Sequence, residues 1–240
     1  MAISVKTNLP SPRPDSGRGP ANRIYPFDVV VFDCDGVMFD SSAVNTAYYN
    51  HLLDAFGRPL MNSAQRAYVH AHTVDESVAF LFQDAAMQMQ VHNHRLAMDY
   101  APFLKLMTIE PGLITLLQAV RPAMKTAIAT NRTDTMDIVL DAFGLTDMFD
   151  MVVTARHVPH PKPHPAQLQK IGAALQAAPD RMLYIGDSTV DADAAVAAGV
   201  VFVAFANPAL TADYHVSSMA QIHAIVFNDG RQVNGGRAVR

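Results

Sequence analysis

The chain has 240 residues, half of them hydrophobic, and a formal net charge of -4. That length suits one large domain, or a core domain with a smaller insert, and the apolar share allows a sizeable core. The mild acidity argues against nucleic acid as the main partner, because phosphate backbones attract clustered Lys and Arg. A single cysteine, Cys34, excludes an intrachain disulfide and fits a reducing compartment.

Residues 1–23 offer no apolar periodicity and no apolar stretch of the secretory type, so a flexible lead is expected there. The first clear element is Asp28-Val-Val-Val-Phe-Asp33, a β-branched run that ends in acids and a glycine and predicts a buried parallel strand. From residue 41 to 108 no strand is expected. The segment is rich in Ala, Met, Leu, His and Gln and predicts helices over residues 44–56, 63–71, 75–90 and 93–107. Tyr68, Phe80, Phe82, Met87 and Met89 are expected to form its core. Pro111-Gly112 restarts the alternation of strands and helices. Strands are predicted at 125–130, 151–154, 182–187 and 200–205, with helices at 133–143, 165–175 and 190–198, the first ending at Gly144 and the last at Gly199. The apolar stretch 194–206 is too short to span a bilayer and is broken by Gly199. Residues 229–240 read as a flexible tail.

This order predicts an α/β fold, a doubly wound Rossmann-like parallel sheet core with an inserted all-helical cap. The core is expected over residues 24–40 and 109–228, and the cap over 41–108. Such a cap lies over the carboxyl edge of the sheet, where open α/β sheets bind ligands.

Four short motifs carry the chemistry. Asp33-Cys34-Asp35-Gly36 ends the first strand, and two carboxylates so close repel each other unless a cation or a proton separates them. Mg²⁺ suits this pattern, because it takes hard oxygen ligands from one or two carboxylates together with substrate phosphate. The alternative is a strand end whose acids cap a turn. Thr130-Asn131-Arg132 runs from a strand into a helix start, where a hydroxyl and main-chain N–H groups suit a phosphate; an ordinary N-cap is the competing explanation. Lys162 lies in His160-Pro-Lys-Pro-His-Pro165, whose prolines stiffen the backbone and aim the ammonium, although loop lysines are commonly just solvated. Histidines 157, 160 and 164 are not expected to bind a metal, since the prolines restrict their convergence. Gly186-Asp187-Ser188-Thr-Val-Asp191 places one acid at a strand end and a second four residues on; Ser188-x-x-Asp191 also matches a capping box.

The order Asp-x-Asp, Thr, Lys, Gly-Asp-x-x-x-Asp resembles the haloacid dehalogenase-like hydrolase superfamily over residues 25–208. Stretches such as Phe32-Asp-Cys-Asp-Gly-Val-Met-Phe-Asp-Ser41 resemble its phosphoglycolate phosphatase and β-phosphoglucomutase group. The resemblance implies a Mg²⁺-dependent phosphomonoesterase acting on a small phosphorylated metabolite, 2-phosphoglycolate or a sugar phosphate. By the same resemblance Asp33 attacks phosphorus, Asp35 serves as acid and base, Thr130 and the Asn131 backbone grip the phosphoryl group, and Lys162 steadies charge. Asp33, Asp187 and the Asp35 carbonyl hold the metal, and Asp191 binds or orients around it. An acid at position 35 separates phosphatases and mutases from the true dehalogenases and transport ATPases of this superfamily. Lys105, the single lysine of the cap, sits at its far end, which disfavours the Schiff-base chemistry of phosphonate-cleaving relatives. His72 and Arg66, with His70 and Arg58 nearby, are candidate substrate contacts in the cap; exposed or structurally satisfied side chains are the alternative. A β-phosphoglucomutase-type phosphomutase and a non-catalytic binding module remain as competing functions. The protein is expected to be cytoplasmic, a monomer or homodimer, with neither nucleic acid nor membrane as partner.

Overall fold

The computed structural model describes residues 26–227. The expected flexible segments 1–23 and 229–240 lie outside them. Strand β1 (Val29–Phe32) forms the middle of the sheet, and β2 (Phe39–Asp40) follows a tight loop. Five helices come next: α1 (Ser42–Ala55), α2 (Ser63–Ala71), α3 (Val74–Leu81), α4 (Ala85–Ala97) and α5 (Ala101–Leu104). Strand β3 (Thr108–Ile109) then pairs antiparallel with β2, so the two chains entering and leaving the helical segment form one short ribbon. Beyond it run α6 (Leu113–Val120), β4 (Lys125–Thr130), α7 (Met136–Ala142), β5 (Met151–Thr154), α8 (Ala166–Leu175), β6 (Met182–Gly186), α9 (Thr189–Ala198), β7 (Val201–Phe205), β8 (Tyr214–Val216) and α10 (Met219–Phe227).

The main sheet has the order β5-β4-β1-β6-β7-β8, and every pairing in it is parallel. Side chains alternate across a strand, so consecutive apolar residues feed two cores. Val30, Phe32, Ile128 and Ile185 join α6, α7 and α10 on one face, and Val29, Val31, Ala127 and Tyr184 join α8 and α9 on the other. The chain order reverses direction at β1, with β4 on one side and β6 on the other, which opens a crevice at their carboxyl ends. The five-helix segment has its own core around Tyr48, Tyr49, Leu52, Leu53, Phe82 and Val91 and caps that crevice.

Within the cap the helix boundaries differ from expectation. The predicted helix 75–90 is broken at Phe82, because the Asp84 side chain accepts a hydrogen bond from the Met87 N–H and starts a new helix there. The predicted helix 93–107 gives way to the end of α4 and the short α5. Pro102 and the Asp99 carboxylate, which accepts from the Ala101 N–H, start α5 afresh. Phe82 is buried as expected, but Phe80 and Met89 are exposed. Among the described residues no helix is long and apolar enough to cross a membrane.

Leu117 is fully buried between α6 and the sheet. Leu117→Ala is expected to lower the stability of the fold by about 2–5 kcal/mol, read as a lower denaturant midpoint with an unchanged slope.

Candidate active site

Asp33 is the first residue past β1, and its N–H still donates to the Ile185 carbonyl of β6 at 2.9 Å, which holds it between the two strands. The chain then folds back on itself. Met38 and Phe39 N–H groups both reach the Cys34 carbonyl, and Gly36 takes φ +78°. A side chain at position 36 would collide with the Asp187 carboxylate, whose Oδ2 would lie 2.0 Å from the new Cβ. Glycine is thus required both by the turn and by the close approach of the β6 loop. Gly186 plays the same part for Asp191, whose Cβ fills the space a side chain there would need.

Lys162 comes from the proline-rich loop after β5. Its ammonium is 2% exposed and faces four oxygens: Asp33 Oδ1 and Asp191 Oδ1, both at 2.7 Å, and the Ala129 carbonyl and Tyr184 hydroxyl, both at 3.0 Å. The Tyr184 hydroxyl donates to Asp191 Oδ1 at 2.6 Å. The other Asp191 oxygen accepts from the Ser188 N–H and hydroxyl, completing the capping box of α9. The capping box expected for Asp191 is present, and its other oxygen anchors the lysine, a contact the sequence did not announce. The Asn131 side chain exchanges two hydrogen bonds with the main chain of Lys162, at 3.0 and 3.1 Å, and fixes the loop that carries the ammonium. Thr130, the last residue of β4, is buried and its Oγ1 accepts from the Arg132 N–H at 3.2 Å.

The acids differ in their electrostatics. Burial pushes the Asp33 carboxyl up to about 7, opposed by Lys162 and reinforced by Asp191. Burial, with Asp33 and Asp191 adding to it, pushes Asp187 up to about 8. Burial also acts against the Asp191 carboxylate, but Lys162, Ser188 and Tyr184 outweigh it and hold the pKa below the usual range. Desolvation acts against the half-buried Asp35 carboxylate too, yet Arg132 holds its carboxyl below the usual range. Arg132 Nε and Nη2 donate to its two oxygens at 2.8 and 2.7 Å.

Oxygens of Asp33, Asp187 and Asp191 lie within 4.8 Å of one another. Three carboxylates share one ammonium there, and the Asp187 carboxylate accepts no hydrogen bond among the described residues. Hard oxygens in negative excess around an unneutralised, half-buried acid fit a divalent cation such as Mg²⁺. The Asp35 carboxylate is outside this group, turned into Arg132, so its side chain is not placed as a ligand.

The cap contributes His70, His72, Tyr48 and Tyr100 to the cavity over Asp33. His72 Nδ1 meets the Tyr68 carbonyl at 2.8 Å and its ring stacks on that of Tyr68. Arg66 does not face this cavity. It donates to the Met61 carbonyl at 2.8 Å and lines a separate groove between α1 and α2. Arg58 is exposed and sits against Met87. His157 Nδ1 accepts from the Thr154 N–H at 3.1 Å. Three participants escape sequence reasoning. Arg132 reads as an ordinary helix-start residue, Tyr184 as one more strand residue, and Asn207 as a loop residue, although its side chain donates to the Asp187 carbonyl at 2.8 Å.

An acid with a higher pKa in the folded than in the unfolded chain takes up a proton on folding. It favours the fold at low pH and opposes it as pH rises from its unfolded value to its folded one. For Asp33 and Asp187 that window runs from 3.8 to about 7 and about 8. Without metal the melting temperature is expected to fall as pH rises from 5 to 8. Saturating Mg²⁺ should raise it by about 5 °C at pH 8 and by little at pH 5. Thermal scanning at both pH values with and without Mg²⁺ checks this; an equal shift at both would contradict it.

Comparison with known proteins agrees with the geometry. The family model of haloacid dehalogenase-like hydrolases matches residues 30–205. A phosphoglycolate phosphatase of Rhodobacter capsulatus is 30% identical over 83% of this chain and 92% of its own length. The crystal structure of a haloacid dehalogenase-superfamily hydrolase, subfamily IA, from Geobacter sulfurreducens is 35% identical, covers 84% of this chain and 97% of its own, and superposes with a TM-score of 0.69. A β-phosphoglucomutase structure from Clostridium difficile shares the fold, with a TM-score of 0.73 at 20% identity over 82% of this chain and 93% of its own. With its helical cap and its acid at position 35, the chain belongs to the haloacid dehalogenase-like hydrolase family, in the phosphatase branch that includes the phosphoglycolate phosphatases.

Proposed function

We propose that this protein hydrolyses a small phosphomonoester through an aspartyl-phosphate on Asp33. The observation that carries this reading is the Lys162 ammonium set 2.7 Å from both Asp33 and Asp191, beside a third acid able to share a cation. Phosphoryl transfer calls for positioning and charge neutralisation above all, and carboxylate nucleophiles that form aspartyl-phosphates are an established solution.

In this reading an Asp33 oxygen attacks phosphorus as the ester P–O bond breaks. Lys162 and the Thr130 hydroxyl and following N–H groups balance charge on the phosphoryl oxygens. Asp35 gives a proton to the leaving oxygen, then takes one from the water that attacks the aspartyl-phosphate, restoring Asp33. Asp33, Asp187 and the Asp35 carbonyl would hold Mg²⁺, with Asp191 orienting around it; the ion supplies neutralisation of the carboxylate and phosphate charges that meet there. Tyr184 and the Asn131 side chain position Lys162 and touch no reacting atom. The relatives named as phosphoglycolate phosphatases support 2-phosphoglycolate as the first substrate to test, ahead of sugar phosphates.

Asp33→Asn removes the nucleophile while keeping the side chain's shape. It is expected to lower Mg²⁺-dependent phosphate release from small phosphoesters by ~10³-fold or more, with an unchanged circular dichroism spectrum. Phosphate release at the wild-type rate by that variant, or by the wild type in excess chelator, would reject the reading.

A further inference from the structure

Arg132 is the only guanidinium among the described residues lining the cavity over Asp33, and Lys162, the other permanent cation there, is committed to four oxygens. The Arg132 side chain is 7% exposed. Its Nη1 donates to the Tyr100 hydroxyl of the cap and to Thr135 Oγ1, both at 3.1 Å, which holds the guanidinium plane from both sides of the cavity. Its remaining edge, Nε and Nη2, makes the parallel pair of hydrogen bonds to Asp35. That edge is the one that matches a carboxylate, and any other carboxylate entering the cavity would bind it in the same geometry.

The pairing has a consequence for Asp35. A carboxylate whose two oxygens both accept from an arginine is turned away from the phosphoryl site and is not placed to protonate a leaving oxygen. Something must take its place on the guanidinium before it can turn.

We propose that Arg132 is the specificity-determining residue of this site: it binds a second anionic group of the substrate, a carboxylate by preference, and in exchanging partners releases Asp35 to the leaving oxygen. The inference rests on the phosphatase reading above and adds to it a substrate class, phosphomonoesters carrying a carboxylate close to the ester oxygen. In the exchange two donors pass from the Asp35 oxygens to those of the substrate, and the freed Asp35 carboxylate takes up a proton from solvent before giving it to the leaving oxygen. The tail anion therefore assists turnover as well as binding, so its loss lowers kcat in addition to raising KM.

The test compares two phosphoesters of one skeleton, 2-phosphoglycolate and 2-hydroxyethyl phosphate, in which a CH₂OH group replaces the carboxylate. With Mg²⁺ present, the wild type is expected to prefer the first by ~100-fold or more in kcat/KM, with about tenfold of that in kcat. In Arg132→Gln the preference should fall to within about threefold, and Arg132→Lys, which keeps the charge but not the fork, should lie between. Equal kcat values for the two esters in the wild type would overturn the proposal even if no variant folds. So would a preference that survives in a folded Arg132→Gln. Hydrolysis of either ester upholds the phosphatase reading in each of these cases. Failure of the wild type to hydrolyse both esters and p-nitrophenyl phosphate would instead remove that reading, and this inference with it.

Discussion

One buried ammonium holds this site together. Lys162 sits between Asp33 and Asp191 at 2.7 Å from each, in a place where three carboxylates crowd within 4.8 Å. Taking that many charges out of water is costly, and one cation cannot offset it. The imbalance shows in the acids themselves: Asp191, best served with donors, stays ionised readily, while Asp33 and Asp187 are driven toward neutrality. A site built this way is short of positive charge, which a divalent cation would supply. It is a binding site for charge still missing from it.

The fold supplies the convergence. Six parallel strands end on one edge, and the loops leaving β1, β4, β5 and β6 bring acid, hydroxyl, ammonium and acid from positions far apart in the chain. The supports are short and local. Gly36 and Gly186 make room for two carboxylates, Asn131 clasps the lysine loop, and Tyr184 ties the lysine to Asp191. Above the edge, the cap is fastened to the core by the Arg95–Asp134 ion pair at 2.7 Å and by Tyr100 on Arg132. The cavity is thus closed by polar contacts, and those at Arg132 involve a residue that also restrains Asp35.

Much of this was legible from sequence because parallel strands announce themselves: β4 and β5 have their predicted limits, and β6 and β7 differ by one residue. The motifs at their ends point to one edge, which is where the structure brings Asp33, Thr130, Lys162, Asp187 and Asp191. The cap was harder to read. Its helices are cut by side-chain caps such as Asp84 that compete with a continuous apolar pattern, and β8 and α10 carry no motif to single them out. Long-range polar pairing was the least visible feature. Arg132 meets Asp35 across 97 residues, and nothing in either local sequence marks the partner. Arg66 failed as an anion contact for the same reason: its charge was plain, its orientation toward Met61 was not.

The central claim is that phosphorus becomes bonded to the side chain at position 33. Rapid quenching of a Mg²⁺-dependent turnover, followed by borohydride reduction and peptide mass spectrometry, tests it directly. The account predicts substrate-dependent conversion of Asp33 to homoserine and no change at Asp35, Asp187 or Asp191. Reduction at another acid, or steady turnover with Asp33 unaltered at every quench time, would contradict it.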